Sequence, residues 1–149
     1  DLFVEGQKGS QSDMYCQLAQ SFMISADNAH AVHPNHQGNA DVTNRPYING
    51  GMVLKFNGNQ KYTTDAYSEA VFRKLCDKSN LPVQTFCNRS DIAGGSTLGN
   101  ISTTQVSIPT VDMGLPQLSM HSAFETAGTS DTNDFITLAK LFYSEQYLG

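Results

Sequence analysis

One aspartate and three histidines fall within the single stretch SADNAHAVHPNH (25–36). Carboxylate and imidazole groups are common ligands of divalent metals, and histidine also exchanges protons near neutral pH. Asp27 follows an apolar run typical of a buried strand, so its carboxylate either binds a metal or closes the loop as an Asx turn. His30 and His33 either face one pocket or are solvated loop side chains, and we interpret His36 as surface loop.

Three other positions carry chemical groups in unusual settings. The remaining histidine, His121, stands four residues before Glu125; the spacing suits a shared metal, but a glutamate so placed more often supports a ligand or is solvated. Lys55 interrupts the apolar run MVLKF, so its ammonium either reaches outward to solvent or meets an anionic ligand. The hydroxyl of Tyr62 either enters a pocket or makes one hydrogen bond within the core.

The segment GGST (94–97) is followed by a helical pattern. Backbone N–H groups at such a turn can bind a carboxylate or phosphate, although a tight glycine turn into the helix is the plainer interpretation. The segment lacks the GxxxxGK[ST] pattern of a phosphate-binding loop. The chain also contains no HExxH pair, no GxSxG turn and no recognisable Cys–His signature, so nucleophilic catalysis is not supported.

Alternating strands and helices must position these residues. Apolar runs predict strands at 21–26, 51–57, 82–89 and 108–114, and helical spacing predicts helices at about 12–20, 63–80, 97–107 and 131–148. The second helix directs these residues inward: Ala66, Ala70, Val71, Leu75 and Cys76. The alternation predicts an α/β layered sandwich, with a mixed or largely parallel sheet and helices on both faces. Chemistry in such folds gathers where strands end, which is where Asp27 stands.

Composition narrows the class of protein. The chain has 149 residues, enough for one domain with a real core, and a formal charge of −5 that argues against nucleic-acid binding. No apolar run approaches the roughly 20 residues of a membrane span, and no secretory signal is visible. The 3 cysteines are widely spaced, which argues against a disulfide framework and a thiolate zinc site. We expect free cysteines and a cytoplasmic location.

Four blocks together resemble the C-terminal catalytic segment of the aspartyl aminopeptidase and vacuolar aminopeptidase I family of di-zinc metallopeptidases. They are SADNAHAVHPNH (25–36), GGMVLKFNGNQKY (50–62), NRSDIAGGSTLG (88–99) and VDMGLPQLSMHSAFETAG (111–128). The blocks occur in the family's order and at compatible spacing. The resemblance is close over residues 21–128 and loose in the final helix.

The resemblance assigns roles residue by residue. Asp27 matches a ligand of one zinc ion and His121 a ligand of the other. The residues that match substrate contacts are His30, His33, Lys55, Tyr62 and the loop Gly94, Gly95 and Ser96, followed by Thr97. A lysine at position 55 suits an acidic side chain on the substrate's N-terminal residue. In the family, two metals roughly 3.5–4 Å apart activate a water, and a carboxylate acts as general base.

The chain also departs from the family pattern. Its glutamates (Glu5, Glu69, Glu125 and Glu145) include no adjacent pair to act as general base and ligand, and no metal-bridging aspartate can be located. We therefore expect residues 1–149 to be the C-terminal part of the catalytic domain, without its N-terminal part or the inserted dimerisation domain. Two ligands are too few for two zinc ions, so we expect this chain alone to be inactive.

The function implied for the intact protein is a zinc aminopeptidase that removes N-terminal, possibly acidic, residues from peptides. Other divalent metals suit the same ligands. The resemblance also implies a homo-oligomer, a dodecamer in the family, whose partner is the peptide N-terminus rather than nucleic acid or membrane. The alternative is a non-catalytic assembly or cargo-interaction module derived from the same family.

Overall fold

The computed structural model describes residue 6 and residues 9–144. Its main sheet has four strands in the order β1-β5-β3-β4: β1 (Met23–Ala26), β5 (Thr110–Gly114), β3 (Met52–Phe56) and β4 (Val83–Cys87). The β1–β5 and β3–β4 pairs are parallel, whereas β3 and β5 are antiparallel. The sheet is therefore mixed, which confirms the predicted fold class.

A second, smaller sheet forms in the segments that follow β1 and β5, where the sequence predicted no strands. It orders β2 (Ala29–His30), β6 (Pro116–Leu118) and β7 (Thr126–Ala127), with β2 parallel and β7 antiparallel to β6. These strands have two or three residues and mix polar with apolar side chains, so they carry no periodic signal. The small sheet holds the His-rich segment after β1 against the segment that leads to His121.

Four helices of the described region have boundaries close to the predicted ones. They are α1 (Gln11–Ala19), α2 (Ala66–Lys78), α3 (Leu98–Gln105) and α4 (Thr129–Ser144). Ser10 caps α1 and Asp65 caps α2, each in a reciprocal capping box with the third helical residue. None of these helices is both long and apolar enough to cross a membrane.

The helices lie on both faces of the main sheet. On one face, α2 and α4 pack against the sheet through a core cluster of Met52, Leu54, Phe72, Leu75, Cys76, Val111, Met113 and Leu138. On the other face, α3 packs on β1 and β5, and a smaller cluster contains Ala29, Val53, Tyr62 and Phe86. Because side chains alternate along a strand, Lys55 shares this second face with Val53.

Two local expectations for α2 were wrong in part. Leu75 and Cys76 are buried as predicted, but Ala66 and Ala70 are exposed, and Ser68 and Phe72 complete the buried face instead. The helix also begins after Asp65 rather than at Thr63. Of the two orientations open to Lys55, the structure shows the inward one, since the residue is only 3% exposed.

Helix α4 begins at Thr129, two residues before Asp131, the predicted start. The buried Asp131 carboxylate instead accepts hydrogen bonds from Asn49 N at 2.7 Å and Gly51 N at 2.9 Å. It therefore ties the first turn of α4 to the chain that enters β3. The predicted end of this helix, at residues 145–148, lies outside the described residues.

Candidate functional site

A cleft of about 550 Å³ lies on the second face of the sheet, beside the end of β1. Its lining includes the candidate zinc ligands and substrate contacts Asp27, His30, His33, Lys55, Tyr62, Gly94, Gly95, Ser96 and His121, whereas Thr97, at the end of the glycine-rich loop, is not part of the lining. These residues come from separate parts of the chain. The fold brings them to one place, although their individual roles stay predictions.

The floor of the cleft contains a buried cation beside a half-exposed carboxylate. Lys55 Nζ lies 3.2 Å from Asp27 Oδ2, and their side chains are 4% and 53% exposed. The same ammonium donates to the backbone oxygens of Asp27 and Asn28 at 3.4 Å and 3.2 Å. It also lies 4.7 Å from the centre of the Tyr62 ring, a distance at which a cation is attracted to the ring face. Lys55 is thus bound by the protein's own oxygens and by one aromatic ring.

Tyr62 connects this floor to a neighbouring wall. Its ring centre lies 6.4 Å from that of Phe86, and its hydroxyl accepts a hydrogen bond from Asn88 Nδ2 at 3.4 Å. Burial raises the pKa of the Tyr62 hydroxyl, with the Asn88 bond opposing that effect. The phenol therefore stays protonated at neutral pH and can donate a hydrogen bond.

His30 and His121 both line the cleft. His30 ends β2, and His121 lies in the loop that follows the parallel strand β6. Desolvation in the cleft lowers the pKa of His30, helped by repulsion from His121 and Lys55 and opposed by Asp27. His30 is therefore neutral at neutral pH, so one ring nitrogen is free to accept a proton or a hydrogen bond.

His121 lies in an irregular turn rather than the helix that would stack it on Glu125. Its φ of 69° is in the left-handed region, as is the φ of 55° at Ser119. The Glu125 carboxylate accepts a hydrogen bond from the backbone N–H of His121 at 2.5 Å. Such a φ is uncommon for residues other than glycine, so this loop is held by its contacts in a conformation that directs the exposed imidazole.

The mouth of the cleft is formed by two loops. One carries His33 and His36, whose ring centres are 5.1 Å apart, and His33 Nδ1 accepts a hydrogen bond from Asn35 N at 3.2 Å. His36 is exposed in a loop, as expected, but it also lines the cleft. Arg89, opposite, donates to Gly38 O and pairs with Asp91, so it joins the two loops.

The glycine-rich loop forms another edge. Gly94 passes so close to Asn88 that an added Cβ would meet its amide nitrogen at 2.0 Å, so a larger residue there would displace the Asn88 side chain. Ser96 Oγ donates to Lys61 O at 3.5 Å. Thr97 precedes α3 without a side-chain capping bond, and its hydroxyl is buried without a hydrogen-bond partner among the described residues.

The donor set for a metal is incomplete among the residues that the structure describes. Asp27 and His121 are suitable donor types that face the same cleft. Among residues 9–144, however, no group of three or more histidine, cysteine, aspartate and glutamate side chains is arranged to hold a metal ion. The described residues therefore do not build a full metal site by themselves.

Several cleft residues were missed by sequence reasoning. They include Asn28, Phe86, Asn88, Arg89, Gln117 and Met120. Asn28 Nδ2 donates to Gln117 Oε1 at 3.0 Å, which links β1's end to β6. Polar residues that directly follow strands were an available signal for Asn28 and Asn88, but nothing in the sequence predicted the register of β2 and β6.

Comparison with known proteins places this cleft in a family. The model of aminopeptidase I zinc metalloproteases, M18, matches residues 1–143. The chain belongs to the M18 family. Its members are metalloaminopeptidases, which confirms the resemblance carried by the four sequence blocks.

Individual relatives agree with the M18 assignment. A probable M18 family aminopeptidase 2 of Clostridium novyi is 47% identical over 136 residues, which are 91% of this chain and 31% of the relative. One from Clostridium acetobutylicum is 51% identical over 123 residues, 83% of this chain and 28% of the relative. This M18 chain thus spans about three tenths of the curated relatives it matches.

Solved structures share the fold. A chain from the cryo-EM structure of the Ape4 and Nbr1 complex superposes with a TM-score of 0.88 at 36% identity, over 92% of this chain and 26% of its own length. A chain from the S. cerevisiae mApe1 dodecamer gives a TM-score of 0.81 at 25% identity, over 95% of this chain and 31% of its own. The α/β layers of this M18 segment are those of aminopeptidase domains.

Proposed function

We propose that the intact protein containing this chain is a zinc-dependent aminopeptidase and that this chain supplies one wall of its active site. The observation that carries the proposal is the convergence of the candidate zinc ligands and substrate contacts on one cleft. Asp27 and His121 are proposed as ligands, one for each of two zinc ions. When bound, the zinc ions would activate a water and polarise the scissile carbonyl.

This chain's own residues bind and orient the substrate in the proposal. His30, which is neutral, and Tyr62, which is protonated, offer an acceptor and a donor to the N-terminal residue of a peptide. His33 and the loop of Gly94, Gly95 and Ser96 offer further polar contacts at the mouth. Lys55 holds the Asp27 carboxylate and adds positive charge at the cleft floor, which favours an acidic side chain on the substrate.

The general base and the remaining ligands are proposed to come from the rest of the protein. The described residues offer no third ligand near Asp27 and His121, and the relatives are about three times as long as this chain. We therefore propose that residues 1–149 alone do not turn over peptides. The intact protein is proposed to be cytoplasmic and homo-oligomeric, and the dodecameric state of the similar mApe1 supports an oligomer.

The test uses the intact protein with zinc. The intact protein should release an acidic residue from a chromogenic aminoacyl amide. It should lose that activity with a chelator and regain it when zinc is restored. Failure on acidic and neutral aminoacyl amides alike, with zinc present, would reject the aminopeptidase.

A non-catalytic assembly or cargo-interaction module is the second candidate. The incomplete donor set among the described residues favours it. Against it, a degenerate site has no physical need to keep Asp27, Lys55 and His121 around one cleft. The reading frame upstream of Asp1 discriminates between the two: a histidine, an aspartate and an adjacent glutamate pair support the enzyme, and their absence supports the module.

A further inference from the structure

Asp112 is a buried carboxylate in the middle of β5 that does not line the cleft. Its Oδ2 accepts hydrogen bonds from Thr63 N at 2.6 Å and Thr63 Oγ1 at 2.8 Å. Its backbone N–H donates to Thr64 Oγ1 at 2.9 Å, and that hydroxyl lies 3.2 Å from Asp112 O. Four contacts therefore fix the chain directly after Tyr62 to the sheet.

The other side of Asp112 meets the first turn of α3. A Cβ on Gly99 would lie 3.0 Å from Asp112 Oδ1 and 2.7 Å from Ser25 Cβ, so the helix backbone rests directly on these two side chains. Ser25 is the cross-strand partner of Asp112, and its Oγ accepts a hydrogen bond from Gly99 N at 3.0 Å. Ser96, the last residue of the glycine-rich loop to line the cleft, stands three residues before Gly99, so the end of the loop is held near the same strand pair.

We propose that Asp112, together with Ser25, is a positioning residue that sets the separation between Tyr62 and the loop Gly94–Ser96 in the cleft. This inference rests on the proposed aminopeptidase function. One strand pair holds Tyr62 through the next residue, Thr63, and holds the loop through Gly99, three residues after Ser96. Ser96 also bonds to Lys61, next to Tyr62. Asp112 is 0% exposed, so it acts through Thr63 and α3 and not by touching substrate.

A residue that only stabilises the fold would behave differently. Loss of its hydrogen bonds would lower the midpoint of unfolding while the remaining folded protein bound substrate normally. A positioning residue instead changes the substrate-binding geometry of the folded protein, and small displacements of binding groups have large effects. The two roles are therefore separated by KM and kcat measured on folded protein.

The first test is Thr63→Val in the intact protein, which removes the Oγ1 bond to Asp112 and keeps the backbone one. We expect KM to rise about tenfold with kcat within about a factor of three, since substrate binding is lost rather than chemistry. Thr63→Ser restores the hydroxyl and should restore KM. Ser25→Ala removes the Gly99 contact and should also raise KM with unchanged zinc content.

Thr110→Val is the matched control. Thr110 is buried in the same strand, two residues before Asp112, and its hydroxyl donates to Ile108 O at 2.8 Å. The substitution removes one buried hydroxyl bond from β5 without touching either cleft element, so KM should not change. An equal rise in KM for Thr110→Val and Thr63→Val, or an unchanged KM in Thr63→Val, would overturn the proposal.

Hydrogen exchange separates this inference from the proposed function. Thr63→Val should speed amide exchange in residues 61–64, and Ser25→Ala in residues 94–99, while Thr110→Val changes neither segment. If the wild-type intact protein has no peptidase activity, the proposed function fails, and hydrogen exchange alone tests whether Asp112 and Ser25 fix the two segments. Unchanged exchange in both segments would refute this positioning role, whatever the peptidase activity.

Discussion

Lys55 Nζ lies 3.2 Å from Asp27 Oδ2 and joins the buried part of β3 to the residue directly after β1. An ammonium has three N–H donors, and here three protein oxygens surround it, the other two being Asp27 O and Asn28 O. Asp27 Oδ1 makes no hydrogen bond to the described residues, and the side chain is 53% exposed. Lys55 therefore fixes one carboxylate oxygen and leaves the other available to the cleft.

Lys55→Met in the intact protein tests this relationship. Because the ammonium orients Asp27, we expect kcat/KM to fall about tenfold or more on both neutral and acidic aminoacyl amides. Because the positive charge also favours an acidic substrate side chain, we expect the fall to be larger on the acidic amide. Steady-state kinetics on glutamyl and leucyl amides, with zinc content measured in parallel, give the two losses.

The two losses separate the two roles of Lys55. An unchanged rate on the neutral amide would contradict the orientation of Asp27 by Lys55. Equal losses on both amides would show that Lys55 does not contribute to selectivity for an acidic substrate side chain. Lys74→Met, at an exposed position on α2 outside the cleft, is the control for loss of one positive charge.

The 149-residue chain alone should bind zinc weakly and show no turnover. Asp27 and His121 supply one proposed ligand to each metal, whereas zinc sites in enzymes have three protein ligands. Isothermal titration calorimetry of the chain with zinc chloride measures the affinity, with Asp27→Asn and His121→Ala as controls for non-specific binding. Tight stoichiometric binding, or release of product from any aminoacyl amide, would show that the chain holds a complete site.

The strands of the main sheet could be predicted from the sequence because they are short segments rich in apolar and β-branched residues, such as GMVLKF, between polar turns. The small sheet could not, since β2 and β7 have two residues each and are formed by tertiary contacts. The site residues were found because they form unusual patterns, such as a lysine within an apolar strand. Asp112 was missed because a single polar residue in VDMG gives no indication of its partners Thr63 and Gly99, which are distant in sequence.

Asp65 should contribute to stability through the N-terminus of α2 in a pH-dependent way. The Asp65 carboxylate accepts a hydrogen bond from Ser68 N at 2.8 Å, and this bond is the main cause of the lowered pKa of Asp65. A lowered folded-state pKa means that the stabilisation is present above the ordinary value of 3.8 and is lost as pH falls through the lower folded value. Asp65→Ala should cost about 0.5–2 kcal/mol in free energy of unfolding at pH 7.

Urea unfolding at several pH values measures the Asp65 effect. Asp65→Asn is the control, because asparagine caps a helix but does not titrate in this range. Its free energy of unfolding should depend less on pH than that of the wild type below about pH 5. The same acid dependence in wild type and Asp65→Asn would show that other carboxyl groups produce it.

The three cysteines should react with iodoacetamide in a fixed order in the folded 149-residue chain. Cys16 is exposed, Cys87 is half-buried in the cleft wall, and Cys76 is buried in the core. Burial raises the pKa of the Cys87 thiol and raises that of Cys76 to about 12, so little of either is the reactive thiolate at pH 8. Mass spectrometry of alkylated peptides should show Cys16 modified first, Cys87 more slowly and Cys76 only in urea. Modification of Cys76 at the rate of Cys16 without denaturant would mean that the core between α2 and the sheet is open in the isolated chain.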